Sequence, residues 1–321
     1  MPELAQISFR EANRGGAVDL TKAWIDSEQL RGKEHLIVLI HGYNNDRAAG
    51  DAAYAAFRGL QQGLAGEGRD WAPGATVVCV YWPGDADWGI LSAAYYPWAV
   101  PRAQEITSTL SAILISLSAY SSSRLAVDFV AHSLGNRVLL RTLALCAGEN
   151  SLWIRRVVHM AAAVPTWKLE DARDADRLAD GFAREIGPDG RTLSMFSPND
   201  RVLRWAFPLG ETFTAARDGL FPTALGHADW AAGDALMGLS QIEARGADHG
   251  DYWGSSDTTP AELRDFVSRE VQRELDLGVL AARATPATLT LTAHGAPDRE
   301  APPGRALDMR GLASRTVGGG A

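Results

Sequence analysis

One serine lies in a short string of small residues, AHSLGN at 131–136, between an apolar run and a helical pattern. A serine hydroxyl is a weak nucleophile at its own pKa, so a neighbouring base must take its proton before it attacks an acyl carbon. A sharp turn from strand to helix projects the hydroxyl toward such a base, as in the G-x-S-x-G pattern. Ala131 replaces the first glycine of that pattern, and Gly135 keeps the second. The string predicts Ser133 as a nucleophile.

A carboxylate follows a predicted strand later in the chain. Asp200 lies in SPND at 197–200, directly after the apolar stretch that ends at Phe196. A carboxylate there would hold the tautomer of a catalytic histidine and stabilise its charged form. The alternative is that Asp200 is a simple turn residue. We predict that it is the acid partner of the base.

Two histidines follow Asp200 and compete for the role of base. His249 lies in a loop shortly before the last predicted helix, and Gly250 allows this loop to bend toward the serine. His227 lies farther from that helix, where it would line a lid or the surface. His132 is adjacent to the serine in sequence and would point elsewhere, so we expect it to support the turn. The prediction for the base is His249.

Backbone N–H groups are the expected donors to an oxyanion formed at the serine. Leu134 N–H lies at the start of the helix that follows the serine, where unsatisfied N–H groups and the helix dipole favour negative charge. Tyr43 N–H is the predicted second donor, in a loop after an early buried strand. Gly42 lets the backbone approach closely, and His41 and Asn44 would order the loop. A simple polar turn is the alternative for this loop.

Strand-like and helical patterns alternate along the chain. Continuous apolar runs are typical of strands that are buried on both faces of a parallel sheet, and intervening helices of ten or more residues imply crossover connections. The predicted class is therefore α/β, with a mostly parallel, doubly wound sheet and helices on both faces. The predicted strands are 36–40, 75–81, 125–131, 154–160 and 191–196. The predicted helices are 46–64, 102–120, 136–147, 169–186 and 259–275, the last with Thr259 as its N-cap and Pro260 in its first turn.

Two regions, 82–101 and 202–241, are predicted to be irregular and are rich in aromatic residues. They would form lid-like insertions around an acyl pocket, or their aromatic side chains would anchor long loops to the core. The catalytic domain is expected to span 1–280. The region 281–321 is predicted to be a flexible tail because Ala, Pro, Gly and Arg dominate it.

Composition excludes several classes of function. The 321 residues are 46% hydrophobic, which is sufficient for a large core. A net charge of −8 argues against a nucleic-acid partner, which requires clustered Lys and Arg. Cys79 and Cys146 are expected to be buried and reduced, since two cysteines supply neither a disulfide framework nor a metal-ligand set. No metal site or cofactor is expected, because the motifs that bind them do not occur.

No signal peptide is apparent at the N-terminus, and no apolar stretch is long enough to span a membrane. The expectation is a cytoplasmic protein without a transmembrane segment. Its oligomeric state is left open.

Five strings in the chain resemble the α/β-hydrolase superfamily, and within it a bacterial, esterase- and lipase-like branch of unknown function. They are HGYNN at 41–45, YWPG at 81–84, AHSLGNRVL at 131–139, SPNDRVL at 197–203 and DHGDYW at 248–253. The resemblance covers most of 35–275. One departure from the resemblance is AAAVPT at 161–166, where members of the family have a run similar to Ala-Ala-Pro-Asp. The carboxylate often found there is missing, which leaves Asp200 as the acid.

The resemblance implies hydrolysis of a carboxylic ester or related acyl bond in a small-molecule substrate, through a covalent acyl-enzyme. It names no substrate. An acyltransferase or thioesterase with the same residues is one alternative, because it forms the same acyl-enzyme and differs in what attacks it. A catalytically silent binding protein on the same fold is the other, and a reactive Ser133 would exclude it.

Overall fold

In the computed structural model, eight strands form a sheet at the centre of the described residues, which are 3–10, 23–43, 45–84, 92–166, 191–212, 221–227 and 239–275. The strands are β1 (Glu3–Ser8), β2 (Trp24–Ile25), β3 (His35–Ile40), β4 (Thr76–Tyr81), β5 (Leu125–His132), β6 (Leu152–Met160), β7 (Arg191–Phe196) and β8 (Leu239–Glu243). Their order is β2-β1-β4-β3-β5-β6-β7-β8. Among these strands β2 alone runs antiparallel to its neighbour. The predicted mostly parallel sheet is confirmed.

Helices cover the sheet in two groups. They are α1 (Ser27–Leu30), α2 (Arg47–Ala65), α3 (Ser92–Ser118), α4 (Gly135–Cys146), α5 (Phe207–Thr212) and α6 (Ala261–Glu274), with a π-helical turn (Val202–Ala206) before α5. One group contains α2 and α6, which pack against each other and against β4, β6 and β7. In the other group α3 packs against α4 and α5, and α4 contacts β3 and β5. The arrangement agrees with the predicted doubly wound architecture.

The central strands carry the core. Every residue of β3, β4 and β5 is buried, because helices cover both faces of these strands and leave no solvent-facing side. Cys79 and Cys146 are buried and free, as predicted. The described helices include none that is long and apolar enough to cross a membrane.

A charged side chain inside the central sheet is neutralised by two partners. Asp128 on β5 is completely buried and accepts two hydrogen bonds from Arg155, at 3.0 and 2.8 Å. His35 Nε2 lies 2.7 Å from the same carboxylate. The pairing of β5 with β6 shifts register at Arg155, so this arginine is an extra residue in β6. A buried charge requires such partners, since an uncompensated one costs several kcal/mol.

Two predictions about the elements are wrong in part, and two strands, β1 and β2, were not predicted. Strand β8 begins inside the region 202–241, which was predicted to be irregular. These are short strands at or near the sheet edges, so their sequences lack a continuous apolar run. Helix α3 begins at Ser92 rather than at residue 102, and it passes through Pro97 and Pro101. Burial of its side chains from Ala99 onward outweighs the hydrogen bonds that each proline removes.

The N-cap prediction for the last helix is also wrong. Helix α6 begins at Ala261, and Pro260 rather than Thr259 occupies the N-cap position, without a side-chain cap. The Thr259 hydroxyl donates instead to the Asp251 carboxylate, a stronger acceptor within reach.

Several predicted segments lie outside the described residues. They include the helix at 169–186, parts of the proposed lid regions (85–91, 213–220 and 228–238), the tail at 281–321, and Asn44. Of the described parts of these regions, 92–101 and 202–212 are helical and 239–241 are extended, whereas 82–84 and 221–227 are irregular, as predicted. All described residues belong to one compact unit that extends over residues 1–285, and the other unit, 286–321, is outside the described part.

Candidate active site

Ser133 occupies the turn between β5 and α4. Its φ is +53°, a left-handed conformation that is uncommon for a residue other than glycine. The backbone around it is tied to the next strand: Ser133 N–H donates to Met160 O at 3.0 Å, and Ser133 O accepts from Ala163 N–H at 3.2 Å. Strain of this kind persists only where surrounding contacts hold it. These contacts keep the serine in a sharp turn at the carboxyl end of β5.

Two glycines allow backbone segments to meet at this turn. A Cβ on Gly135 would lie 2.4 Å from His41 O, so the first turn of α4 packs directly on the end of β3. A Cβ on Gly42 would lie 2.7 Å from Ser133 Cβ, so the loop after β3 touches Ser133. The requirement for a small residue at each position therefore comes from neighbouring backbone or from the serine itself.

We expect Gly135→Ala to destabilise the protein by about 1–3 kcal/mol and to lower the reactivity of Ser133, because the new methyl group would push the turn away from β3. Gly63 is a matched control, since it also lies in a helix and a Cβ there would meet no atom within 4 Å. Gly63→Ala is expected to stabilise the protein by about 0.5–1 kcal/mol. Urea unfolding of both variants checks the two signs, and equal shifts would contradict the packing argument.

Asn136 holds the carbonyl groups of the turn. Its side-chain N–H group donates to Ala131 O at 3.2 Å and to Ser133 O at 3.0 Å. Its Oδ1 accepts from His159 Nδ1 at 2.7 Å. Burial lowers the pKa of His159 to about 3, so the ring is neutral and its single proton lies on Nδ1. The sequence analysis did not identify Asn136; an amide in the first turn of a buried helix was the available signal.

The structure brings the three predicted side chains together. His249 Nε2 lies 2.7 Å from Ser133 Oγ, and His249 Nδ1 lies 2.8 Å from Asp200 Oδ2. Asp200 is completely buried, and its other oxygen accepts from Leu203 N–H at 2.9 Å. The His249 side chain is 18% exposed. This row of hydrogen bonds can carry a proton from the serine hydroxyl to the imidazole while the buried carboxylate stabilises the resulting charge.

His227, the alternative base, lies on a different segment. Residues 224–226 pack along the chain that follows β6: Leu225 N–H donates to Val164 O at 2.9 Å and Gly226 N–H donates to Ala162 O at 3.0 Å. His227 N–H donates to Ala224 O at 3.1 Å. The described hydrogen bonds connect Ser133 to His249 and not to His227.

The loop at 41–43 has a fixed backbone direction. His41 Nδ1–H donates to Gly42 O at 2.8 Å, and Trp82 N–H lies 3.3 Å from the other ring nitrogen. Burial lowers the pKa of His41 to about 3, which keeps the ring neutral and able to make both contacts. Because N–H and C=O of a trans peptide point in opposite directions, the bond to Gly42 O also fixes the direction of Tyr43 N–H. The ordering role expected for His41 agrees with these contacts.

Leu134, the other predicted donor residue, precedes the first residue of α4 and has helical φ and ψ of −64° and −18°. The first N–H groups of a helix have no intrahelical acceptor. Its N–H therefore lies beside the nucleophile at the positive end of the helix dipole.

The order of Ser133, Asp200 and His249 along the chain, together with the order of the strands, identifies the fold. The serine follows β5, the carboxylate follows β7 and the histidine follows β8, on a sheet whose central order is β4-β3-β5-β6. The chain has the α/β-hydrolase fold. In the α/β-hydrolase fold the nucleophile, acid and base occur in this order, at the carboxyl ends of the strands.

No protein-family model and no curated protein matches the chain. Solved structures are similar to it over about three quarters of its length. A Pyrobaculum calidifontis esterase is 12% identical, with 78% of each chain covered and a TM-score of 0.39. A Listeria innocua protein is 12% identical over 76% of this chain and 94% of its own, with a TM-score of 0.40. Carboxyl esterase 2 of Tuber melanosporum is 12% identical over 75% and 78%, with a TM-score of 0.36.

Proposed function

We propose that this protein is a serine hydrolase that cleaves a carboxylic ester or a related acyl bond in a small molecule. The observation that supports this most directly is the continuous row of hydrogen bonds from Ser133 Oγ to His249 Nε2, 2.7 Å, and from His249 Nδ1 to Asp200, 2.8 Å. A serine, an imidazole and a buried carboxylate in this geometry are the parts of a nucleophile with its own general base.

The proposed first half-reaction forms an acyl-enzyme. His249 Nε2 accepts the hydroxyl proton as Ser133 Oγ attacks the carbonyl carbon, and the carbonyl oxygen becomes an oxyanion. We propose that the N–H groups of Leu134 and Tyr43 donate to that oxygen. The tetrahedral intermediate then collapses: the bond to the leaving alcohol breaks, and His249 returns the proton to the alcohol oxygen.

Water completes the cycle in the second half-reaction. His249 accepts a proton from water, the hydroxide attacks the acyl carbon, and the Ser133 Oγ–acyl bond breaks as the serine recovers its proton. Asp200 keeps the Nδ1–H tautomer throughout and stabilises the imidazolium ion. These steps require no cofactor, since the three side chains and the backbone donors supply every group that moves a proton or stabilises charge.

A fluorophosphonate probe tests the proposal, because it reacts with an activated serine and leaves a stable adduct. We expect peptide mass spectrometry to find the adduct on Ser133 and Ser133→Ala to remain unlabelled. Ser197→Ala is a control that alters a buried serine near Asp200, whose hydroxyl donates to Ala247 O at 2.7 Å, and the adduct should still form on Ser133 in this variant. Folded wild-type protein that resists several such probes would overturn the proposal in favour of a silent binding protein.

A further inference from the structure

His132, at the end of β5, makes a contact that links the nucleophile to the base. Its Nε2 lies 2.8 Å from the backbone carbonyl oxygen of His249, and the two ring centroids are 5.0 Å apart. A carbonyl oxygen only accepts, so Nε2 carries the proton and Nδ1 does not. The ring is buried, and burial lowers its pKa to about 3, so it is neutral. His132 thus carries its proton on Nε2, whereas His249 requires its proton on Nδ1.

The ring of His132 is enclosed by the two loops that border the serine. On one side, a Cβ on Gly42 would lie 2.9 Å from His132 Nδ1. On the other side, Tyr252 and Trp253 lie with their ring centroids 6.1 and 6.0 Å away, and both belong to the segment that contains His249. The side chain therefore has little freedom to move independently of the loop of the base.

We propose that His132 is a positioning residue that sets the distance between the base and the nucleophile, a role that rests on the proposed function of Ser133 and His249. His132 is covalently joined to Ser133, and its N–H is bonded to the backbone of His249. The adjacent residues His132 and Ser133 therefore determine together how far the base lies from the nucleophile. His132 does not itself accept the serine proton, since its Nε2 is committed to the carbonyl and its Nδ1 faces Gly42.

The hydrogen bond is the functional part of this contact. The backbone of His249 is held at its N–H by Asp248 Oδ1, at 2.9 Å, and at its carbonyl by His132. Asp248 is half-exposed, its side chain being 49% accessible, so the buried contact with His132 is the less mobile of the two. Loss of that contact would let the loop move. A displacement of about 1 Å at a reacting group can reduce a rate by about 100-fold.

Two substitutions separate the hydrogen bond from the packing. Gln places a side-chain N–H where His132 Nε2–H lies, whereas Leu fills similar space without a donor. We expect His132→Leu to reduce the rate of Ser133 phosphonylation by about 10- to 100-fold, and His132→Gln to recover most of that loss. In ester turnover, kcat should fall and KM should change little. His132→Asn, whose amide is too short to reach the carbonyl, should be as slow as the Leu variant.

Nitrogen-15 histidine spectra provide a readout that does not depend on activity. We expect His132 in the Nε2–H tautomer, and we expect the proton between His249 Nδ1 and Asp200 to exchange faster with water in the Leu variant than in the Gln variant. An Nδ1–H tautomer for His132 would overturn the proposal. So would a Gln variant as slow as the Leu variant, because shape would then matter and the donor would not. Should the Leu variant fail to fold, the Gln and Asn variants decide the question in the same way. If wild-type Ser133 does not label while His249 responds in the spectra as expected, the proposed function fails, and with it the catalytic part of the role, whereas the hydrogen bond by which His132 holds the backbone of His249 is supported.

Discussion

Replacement of His249 by Ala is expected to lower the rate constant for phosphonylation of Ser133 by about 10³-fold, which is typical of the loss of a positioned general base. Within the part of the chain that the structure describes, the serine would then have no hydrogen-bonded group to accept its proton, since His249 Nε2 is the atom 2.7 Å from its Oγ. The measurement is the second-order rate constant for fluorophosphonate labelling at pH 7.5, with circular dichroism to show that the variant is folded.

His227→Ala is the matched control for this substitution, because it removes the competing histidine from the segment beside β6. We expect it to label at the wild-type rate. Asp200→Asn should be slowed by a similar factor of about 10³, because an amide cannot stabilise the imidazolium and can favour the wrong tautomer. A His227→Ala variant that loses reactivity while His249→Ala retains it would assign the base to His227 and contradict the proposed mechanism.

Stability is expected to fall steeply as the pH is lowered below about 6.5. Burial lowers the pKa of His41, His132 and His159 from 6.5 to about 3 in each case, so all three are neutral in the folded protein. Between pH 6.5 and 3 the unfolded chain binds protons that the folded chain excludes, and the free energy of unfolding decreases as pH falls. Each histidine lowers the free energy of unfolding by about 1.4 kcal/mol for each pH unit that the pH falls within that window. Above pH 6.5 this loss does not occur, and the stability is fully retained.

The three histidines together would lower the free energy of unfolding by about 6 kcal/mol between pH 7 and pH 5, a large share of the stability of an ordinary domain. Urea unfolding at pH 7, 6 and 5 measures this slope. His159→Asn keeps a side-chain N–H near Nδ1 for the bond to Asn136 but cannot titrate. We expect it to reduce the slope by about one third, and an unchanged slope would show that His159 is not one of the titrating groups.

The sequence alone determined the class of the fold and the position of Ser133, the proposed nucleophile, in a turn from strand to helix. The long apolar runs of β3, β4 and β5 predict buried parallel strands, because strands covered by helices on both faces have no polar side. The same reasoning places Ser133 in a turn from strand to helix, and it selects Asp200 and His249 by their order in the chain. The buried strands and the turn at Ser133 are confirmed, because a local pattern carries the physical requirement. Strands β1 and β2 were not predicted and β8 was only partly outside a region predicted to be irregular, since their mixed sequences lie at or near the edges of the sheet.

Only the tertiary structure decided which groups support that site. Nothing in the local sequence shows that His132 bonds to the backbone of His249, that Asn136 and His159 hold the carbonyl groups of the turn, or that His41 fixes Gly42. Most of these contacts join residues from different elements, and the three histidines stay neutral below pH 6.5 because the folded chain removes them from water. Residue types and spacing predict the reacting groups because chemistry restricts their identity. The supporting contacts depend on distances across the sheet, and those distances arise only when the strands assemble.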